Sequence, residues 1–99
     1  MSGVRPSIGP STVVRAVGGH WCADAADETV ILHAKSAQYF GLNPVGSRTW
    51  ALLKGERSVR ELTQALAREF GVTSARMETD LVPFLTELVE TGLAEVVTP

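Results

Sequence analysis

Apolar residues in this 99-residue chain follow a period of two in the first half and helical spacing in the second. Glu28 to Ala34 (ETVILHA) alternates, with Val30 and Leu32 on one face and Thr29, Ile31 and His33 on the other, which predicts a strand. Only Lys35 and Ser36 separate it from Ala37 to Leu42, so the two runs predict a tight hairpin. Upstream, Thr12 to Val17 reads as a first strand that His20 to Ala23 extends or replaces, and Asp24-Ala25-Ala26-Asp27 reads as a turn. Sequential strands usually pair, so the economical arrangement is a three-stranded antiparallel meander with its third strand at an edge. Residues 1–11 (MSGVRPSIGPS) are rich in Gly, Pro and Ser with little to bury, which predicts a flexible tail ahead of one domain over residues 12–97.

Three helices follow, each with its own punctuation. Asn43 is a favoured N-cap and Pro44 supplies a φ already set for a first helical turn, so a helix is expected from Pro44 to about Lys54, closed by Gly55 as a C′ glycine. Ser58-Val59-Arg60-Glu61 is a capping box, and Val59, Leu62, Leu66 and Phe70 recur at helical spacing up to Gly71. A third helix begins near Thr73 or Ser74 and runs to Gly92, with Leu81, Leu85 and Leu88 toward the core and Phe84 facing elsewhere. Pro83 falls inside it and should remove one backbone bond and bend the helix. Leu93 to Val97 adds a short terminal strand.

Composition narrows the function classes. The net charge of −2 lacks the clustered Lys and Arg of a nucleic-acid footprint. Residues 74–97 hold Arg76 against Glu78, Asp80, Glu87, Glu90 and Glu95, a local net of −4 that would repel DNA and steer a basic partner. Cys22 is the single cysteine, so no internal disulfide points to an oxidising compartment. No run approaches a membrane span or the h-region of a signal peptide, and the expectation is a cytoplasmic protein without membrane contact.

Catalytic chemistry finds no purchase. His20-Trp21-Cys22 with Asp24 and Asp27 offers a candidate metal site, but two His and one Cys fall short of the four N or S ligands of structural zinc, so His20 and His33 read as sheet-surface residues and Cys22 as a small hydrophobe. No nucleophile elbow is present, and the nine glycines sit at turns and helix ends rather than in a phosphate-cradling loop. The expectation is a protein that is not an enzyme and needs no cofactor or metal.

The remaining feature is Ser36-Ala37-Gln38-Tyr39-Phe40-Gly41-Leu42-Asn43-Pro44, a strand that runs directly into a helix start. If that strand is an edge, its unpaired backbone between Gln38 and Gly41 can accept an extended peptide, with side-chain pockets from the acidic third helix. Tyr39 and Phe40 point to opposite faces, and the sequence leaves open which of them lines such a cleft.

Leu42-Asn43 closing a hairpin, Trp50, Gly55-Glu56-Arg57-Ser58-Val59 leading to Leu62, and then Leu81, Phe84-Leu85, Leu88 and Gly92-Leu93 resemble the PqqD-like family of precursor-peptide recognition elements. Tyr39 to Pro44 with Trp50 look most like its stand-alone members from lasso peptide pathways. The resemblance implies an α+β, winged helix-turn-helix-like fold, a three-stranded antiparallel sheet followed by three helices. It implies binding of a precursor leader as an added strand between the third strand and third helix, along Gln38, Tyr39, Phe40, Gly41 and Leu42 facing Asp80, Phe84, Glu87, Leu88 and Thr91. The implied partners are the precursor leader, a leader peptidase and a cyclase of the same pathway. The alternatives are a peptide carrier in quinone-cofactor synthesis, a DNA-binding winged helix, which the charge disfavours, or a dimerisation module.

Overall fold

Both periodicities converge on one core, in which Ile31, Leu53, Leu62, Leu66, Leu81, Leu85 and Leu93 are all but inaccessible. The computed structural model describes residues 8–18, 20–25, 28–33 and 38–97. Along the chain run β1 (Val13–Ala16), β2 (Trp21–Ala25), β3 (Glu28–Leu32), β4 (Tyr39–Leu42), α1 (Pro44–Leu52), β5 (Arg57–Ser58), α2 (Val59–Phe70), α3 (Ser74–Thr91) and β6 (Ala94–Val97). The expected α+β architecture is present: an antiparallel β2-β3-β4 sheet precedes three helices, with β4 as an edge. In β3 the buried residues are Thr29 and Ile31, while Val30 and Leu32 are half-buried, so the predicted alternation decides which face meets the core.

The first strand departs from the expected meander. His20 to Ala23 replaces it there as β2, whereas β1 joins a second three-stranded sheet, ordered β5-β1-β6. Val13 pairs with Val97 and Ala16 with Ala94, so the start of the domain lies against its end. Burial explains the choice: Val14 has no accessible surface, and the backbone N–H groups of Ala16 and Val17 donate to the Leu53 and Leu93 carbonyls at 2.8 and 2.9 Å. A strand that closes the helical layer buries more apolar surface than a fourth on an open sheet edge.

Other boundaries shift for identifiable reasons. Asp24 and Ala25, read as turn, continue β2 opposite Thr29 and Glu28, while residues 26–27 and the 34–37 hairpin turn lie outside the described residues. Part of the expected tail is tied down: Ile8 packs against the core, and the Pro10 and Thr12 carbonyls accept from Arg60 and Val59 N–H at the start of α2. Those donors would otherwise be orphans of a helix N-terminus. Helix α1 ends at Leu52, two residues before the expected stop, and Gly55 does not adopt the left-handed conformation. Gly71 and Gly92 do, at φ of 68° and 84°, closing α2 and α3 as their positions predict. Helix α3 runs unbroken through Pro83.

The capping box at Ser58 forms in both directions. Glu61 N–H donates to the Ser58 hydroxyl at 3.1 Å, and Ser58 N–H donates to the Glu61 carboxylate at 2.9 Å. The bonds from Ser58 hold the Glu61 carboxyl below its ordinary value near 4.5. A folded-state value lower than the unfolded one adds stability above the ordinary carboxylate range, lost as pH falls through that range. Ser58→Ala should therefore lower the urea unfolding midpoint at pH 7, and lower it less at pH 3. Glu61→Gln keeps an acceptor for Ser58 N–H and should flatten the acid side of the stability profile. An unchanged profile would mean the cap carries no proton linkage.

Candidate functional site

Hydrogen-bond parity in the β3–β4 pair determines which atoms of β4 are available. His33 N–H donates to the Gln38 carbonyl at 2.8 Å, so Gln38 turns its backbone toward β3. Alternation in an antiparallel ladder then turns Phe40 and Leu42 the same way and aims the N–H and C=O groups of Tyr39 and Gly41 out from the sheet edge. The last rung confirms the parity. Thr29 N–H donates to the Ser47 hydroxyl (2.9 Å), which in turn donates to the Leu42 carbonyl (3.2 Å), so a helix side chain stands where a direct bond would. Asn43 caps the same helix by accepting from Gly46 N–H at 2.7 Å. Two residues of β4 thus offer one donor and one acceptor each.

Helix α3 supplies the facing wall. Tyr39, Phe40, Gly41, Leu42, Asn43, Phe84, Glu87, Leu88 and Thr91 line a cleft of about 340 Å³ between β4 and α3. Phe40 shares the helix-facing side of the sheet with Leu42 and is half-buried, whereas Tyr39 is 72% exposed on the opposite side. Behind Phe40 its ring meets His33 edge-on at 6.4 Å, and His33 stacks on His20 at 5.0 Å. The two histidines, read as sheet surface, are a half-buried support for that aromatic ring. Thr91 donates its hydroxyl to the Glu87 carbonyl at 2.9 Å, holding the last turn of α3 together where it borders the cleft.

Beyond Phe84 lies an adjoining cavity of about 320 Å³, lined by Asn43, Val45, Gly46, Met77, Asp80, Leu81 and Phe84. Asp80 belongs to this second cavity rather than the first, and Arg76 pairs with it at 3.4 Å one helical turn away. The structure thus brings eight of the ten sequence-chosen residues to one cleft, places Asp80 in its extension, and gives the Gln38 carbonyl a partner on β3. Val45, Gly46 and Met77 were missed. Gly46 carried the available signal, since a glycine one turn into a capped helix implies close approach. A Cβ there would sit 3.3 Å from the Phe84 ring and 3.2 Å from Asn43 Oδ1. A third groove, of about 610 Å³, opens on the helix-facing side of the sheet between Cys22 of β2 and α1, and Cys22 is exposed rather than packed as a small hydrophobe. Among the described residues no three His, Cys, Asp or Glu side chains converge as metal ligands, and no helix is long and apolar enough to cross a membrane.

Residues 28–94 match the family described as Coenzyme PQQ synthesis protein D (PqqD). The chain belongs to the PqqD family. No curated protein matches it in sequence. Two solved structures share the fold. One, TbiB1 in complex with the TbiA(beta) leader peptide, is 36% identical, with a TM-score of 0.74 over 86% of this chain and 99% of that one. The other is the PqqD truncation of Methylobacterium extorquens PqqCD, described as a functional and stand-alone recognition element for ribosomally synthesised, modified peptides. It is 22% identical, with a TM-score of 0.75 over 90% of this chain and 95% of that one. The PqqD-family segment thus starts at β3 and takes in both walls of the cleft.

The contact at Gly46 is open to a double-mutant cycle. Gly46→Ala should push Phe84 off the α1 surface and destabilise the fold, and the loss should shrink once Phe84→Ala has made room. We expect a coupling of at least about 0.5 kcal/mol in urea unfolding. Strictly additive losses would mean that Phe84 does not press on α1.

Proposed function

We propose that this protein is a non-enzymatic recognition element that binds the leader region of a ribosomally made precursor peptide as an added strand on β4. The observation that carries the reading is the outward pair of backbone groups at Tyr39 and Gly41 beside the Phe84–Leu88 wall. The peptide complex of the 36% identical TbiB1 supports it. Each backbone bond contributes about 0.5–1.5 kcal/mol net, so four give roughly 2–6 kcal/mol. Micromolar binding needs about 8 kcal/mol, and more once association entropy is counted. Side-chain anchors must supply the difference. Phe40, Phe84 and Leu88 form the apolar part of the cleft, and the cavity beyond Phe84 takes a residue past the end of the added strand.

The bound leader is then presented to a separate leader peptidase, with a cyclase acting in the same pathway. The likeness of Tyr39 to Pro44 and Trp50 to stand-alone lasso peptide members favours that pathway. The family's own description favours a second reading, a carrier of the precursor in PQQ synthesis. Binding to one precursor leader and not the other separates the two.

Titration of a fluorescent leader from the precursor gene neighbouring its own tests the core claim, and saturable binding is expected. Gly41→Pro removes an outward N–H at a position where an added side chain meets nothing within 4 Å. Proline is tolerated where the lost N–H faces solvent, so this variant should fold yet bind at least about fivefold more weakly. Unchanged affinity in a folded Gly41→Pro protein would rule out strand addition here.

Charge supplies a separate expectation. Glu87 lines the cleft without an ion-pair partner among the described residues, whereas Asp80 is offset by Arg76. Basic leader residues should therefore be steered to the Glu87 end. The association rate should fall several-fold between about 0.05 and 0.5 M salt, and Glu87→Gln should reduce that slope. A rate indifferent to salt would count against steering.

A further inference from the structure

Two adjacent residues of α1 bear on the walls of the cleft. At Gly46 the helix passes so close that a Cβ would lie 3.4 Å from Leu42 Cβ on β4 and 3.3 Å from the Phe84 ring on α3. Beside it, the Ser47 hydroxyl occupies the last rung of the β3–β4 ladder. It accepts from Thr29 N–H at 2.9 Å and donates to the Leu42 carbonyl at 3.2 Å. Gly46 sets how near the two walls come, and Ser47 sets where one of them stands.

The hydroxyl acts as a wedge between register partners, since Thr29 lies opposite Leu42. With a tetrahedral angle at the oxygen, its two bonds put Thr29 N and Leu42 O about 5 Å apart. A direct rung would hold them at about 2.9 Å, so the wedge opens this end of the ladder by roughly 2 Å. Thr29 and Leu42 are both buried. The groups that the hydroxyl separates are a donor and an acceptor, and without it they would satisfy each other by closing the rung.

We infer that Ser47 is a positioning residue, a spacer whose length sets the width of the cleft at its Leu42 end and limits the size of the leader side chain accepted there. This role rests on the proposed addition of the leader to β4. In an added strand, side chains opposite Phe40 and Leu42 fall on the helix-facing side, where the cleft is lined by Phe84 and Leu88. Closing the rung draws Leu42 toward β3 and away from Phe84, whose ring stays against Gly46. The roughly 2 Å gained exceeds one carbon–carbon bond of about 1.5 Å. Apolar pockets discriminate a single methylene by roughly 10–200-fold, so a spacer of this length decides a preference.

The test is binding of the leader from the neighbouring precursor gene, with each of its positions replaced in turn by Leu and by Trp. At the position opposite Leu42, the parent should prefer Leu over Trp by at least about tenfold. Ser47→Ala should cut that ratio at least about fivefold, whereas Ser47→Thr keeps the hydroxyl and should keep the ratio. Ser47→Cys, with a longer and weaker sulfur bridge, should raise the ratio, and it carries the test if the alanine variant does not fold. The geometry has its own readout in solution. A scalar coupling across the hydrogen bond from Thr29 N to Leu42 C′ should be absent from the parent and appear in Ser47→Ala. A merely stabilising Ser47 would lower the urea midpoint with the ratio and the coupling unmoved, which would overturn the assignment. A parent that binds no leader would defeat strand addition itself, and this role with it. A parent that binds, with folded Ala and Cys variants sharing its ratio, would overturn the role of Ser47 alone.

Discussion

The Ser47 hydroxyl sits between two strands and belongs to neither. By accepting from Thr29 and donating to Leu42, it ties the end of β4 to β3 through the second turn of α1. With Asn43 capping the same helix, the direction of α1 and the register of β4 become one constraint. The position of α3 follows from it, because Phe84 rests on α1 at Gly46 and Leu85 and Leu88 reach the core beneath β4. Loosening this junction would move the edge and its facing wall relative to each other. The proposed addition of a strand at hydrogen-bonding distance from β4 would tolerate little of that.

Most of the local structure was legible because its signals are local. Asn43-Pro44, the Ser58–Glu61 box, Gly71 and Gly92 act within a few residues of themselves, and each performs the role its chemistry suggests. The exception is Gly55: helix α1 closes at Leu53 through bonds to Thr49 and Trp50, so the chain needs no left-handed residue there. The placement of β1 was not legible, because its partners lie some 40 and 80 residues away at Arg57–Ser58 and Ala94–Val97. Nothing in the period-two pattern of Thr12 to Val17 distinguishes those partners from β3.

The site shows the same division. The sequence marks β4 as a strand and Leu81, Leu85 and Leu88 as core, which leaves Phe84, Glu87 and Thr91 on the side that meets the cleft. Ladder parity is invisible at that level. Side-chain alternation puts Tyr39 and Phe40 on opposite faces but says neither which face meets the helices nor whether the Phe40 N–H points to β3, and the His33–Gln38 bond resolves that Tyr39 and Gly41 are outward. Asp80 lies two helical turns from Glu87, and the ring of Phe84 stands between them, so one predicted cleft becomes two connected cavities.

The pairing of β1 with β6 has a bearing on how such a domain is used. Val13 and Val97 face each other in a sheet that contributes no residue to the cleft. The polypeptide therefore enters and leaves the folded unit side by side, away from the open β4 edge. A fold with that layout can be carried at either end of a larger chain, or inserted into one, with its open edge unobstructed. The occurrence of this fold within PqqCD of Methylobacterium extorquens, from which it was cut as a functional stand-alone piece, is in keeping with such portability.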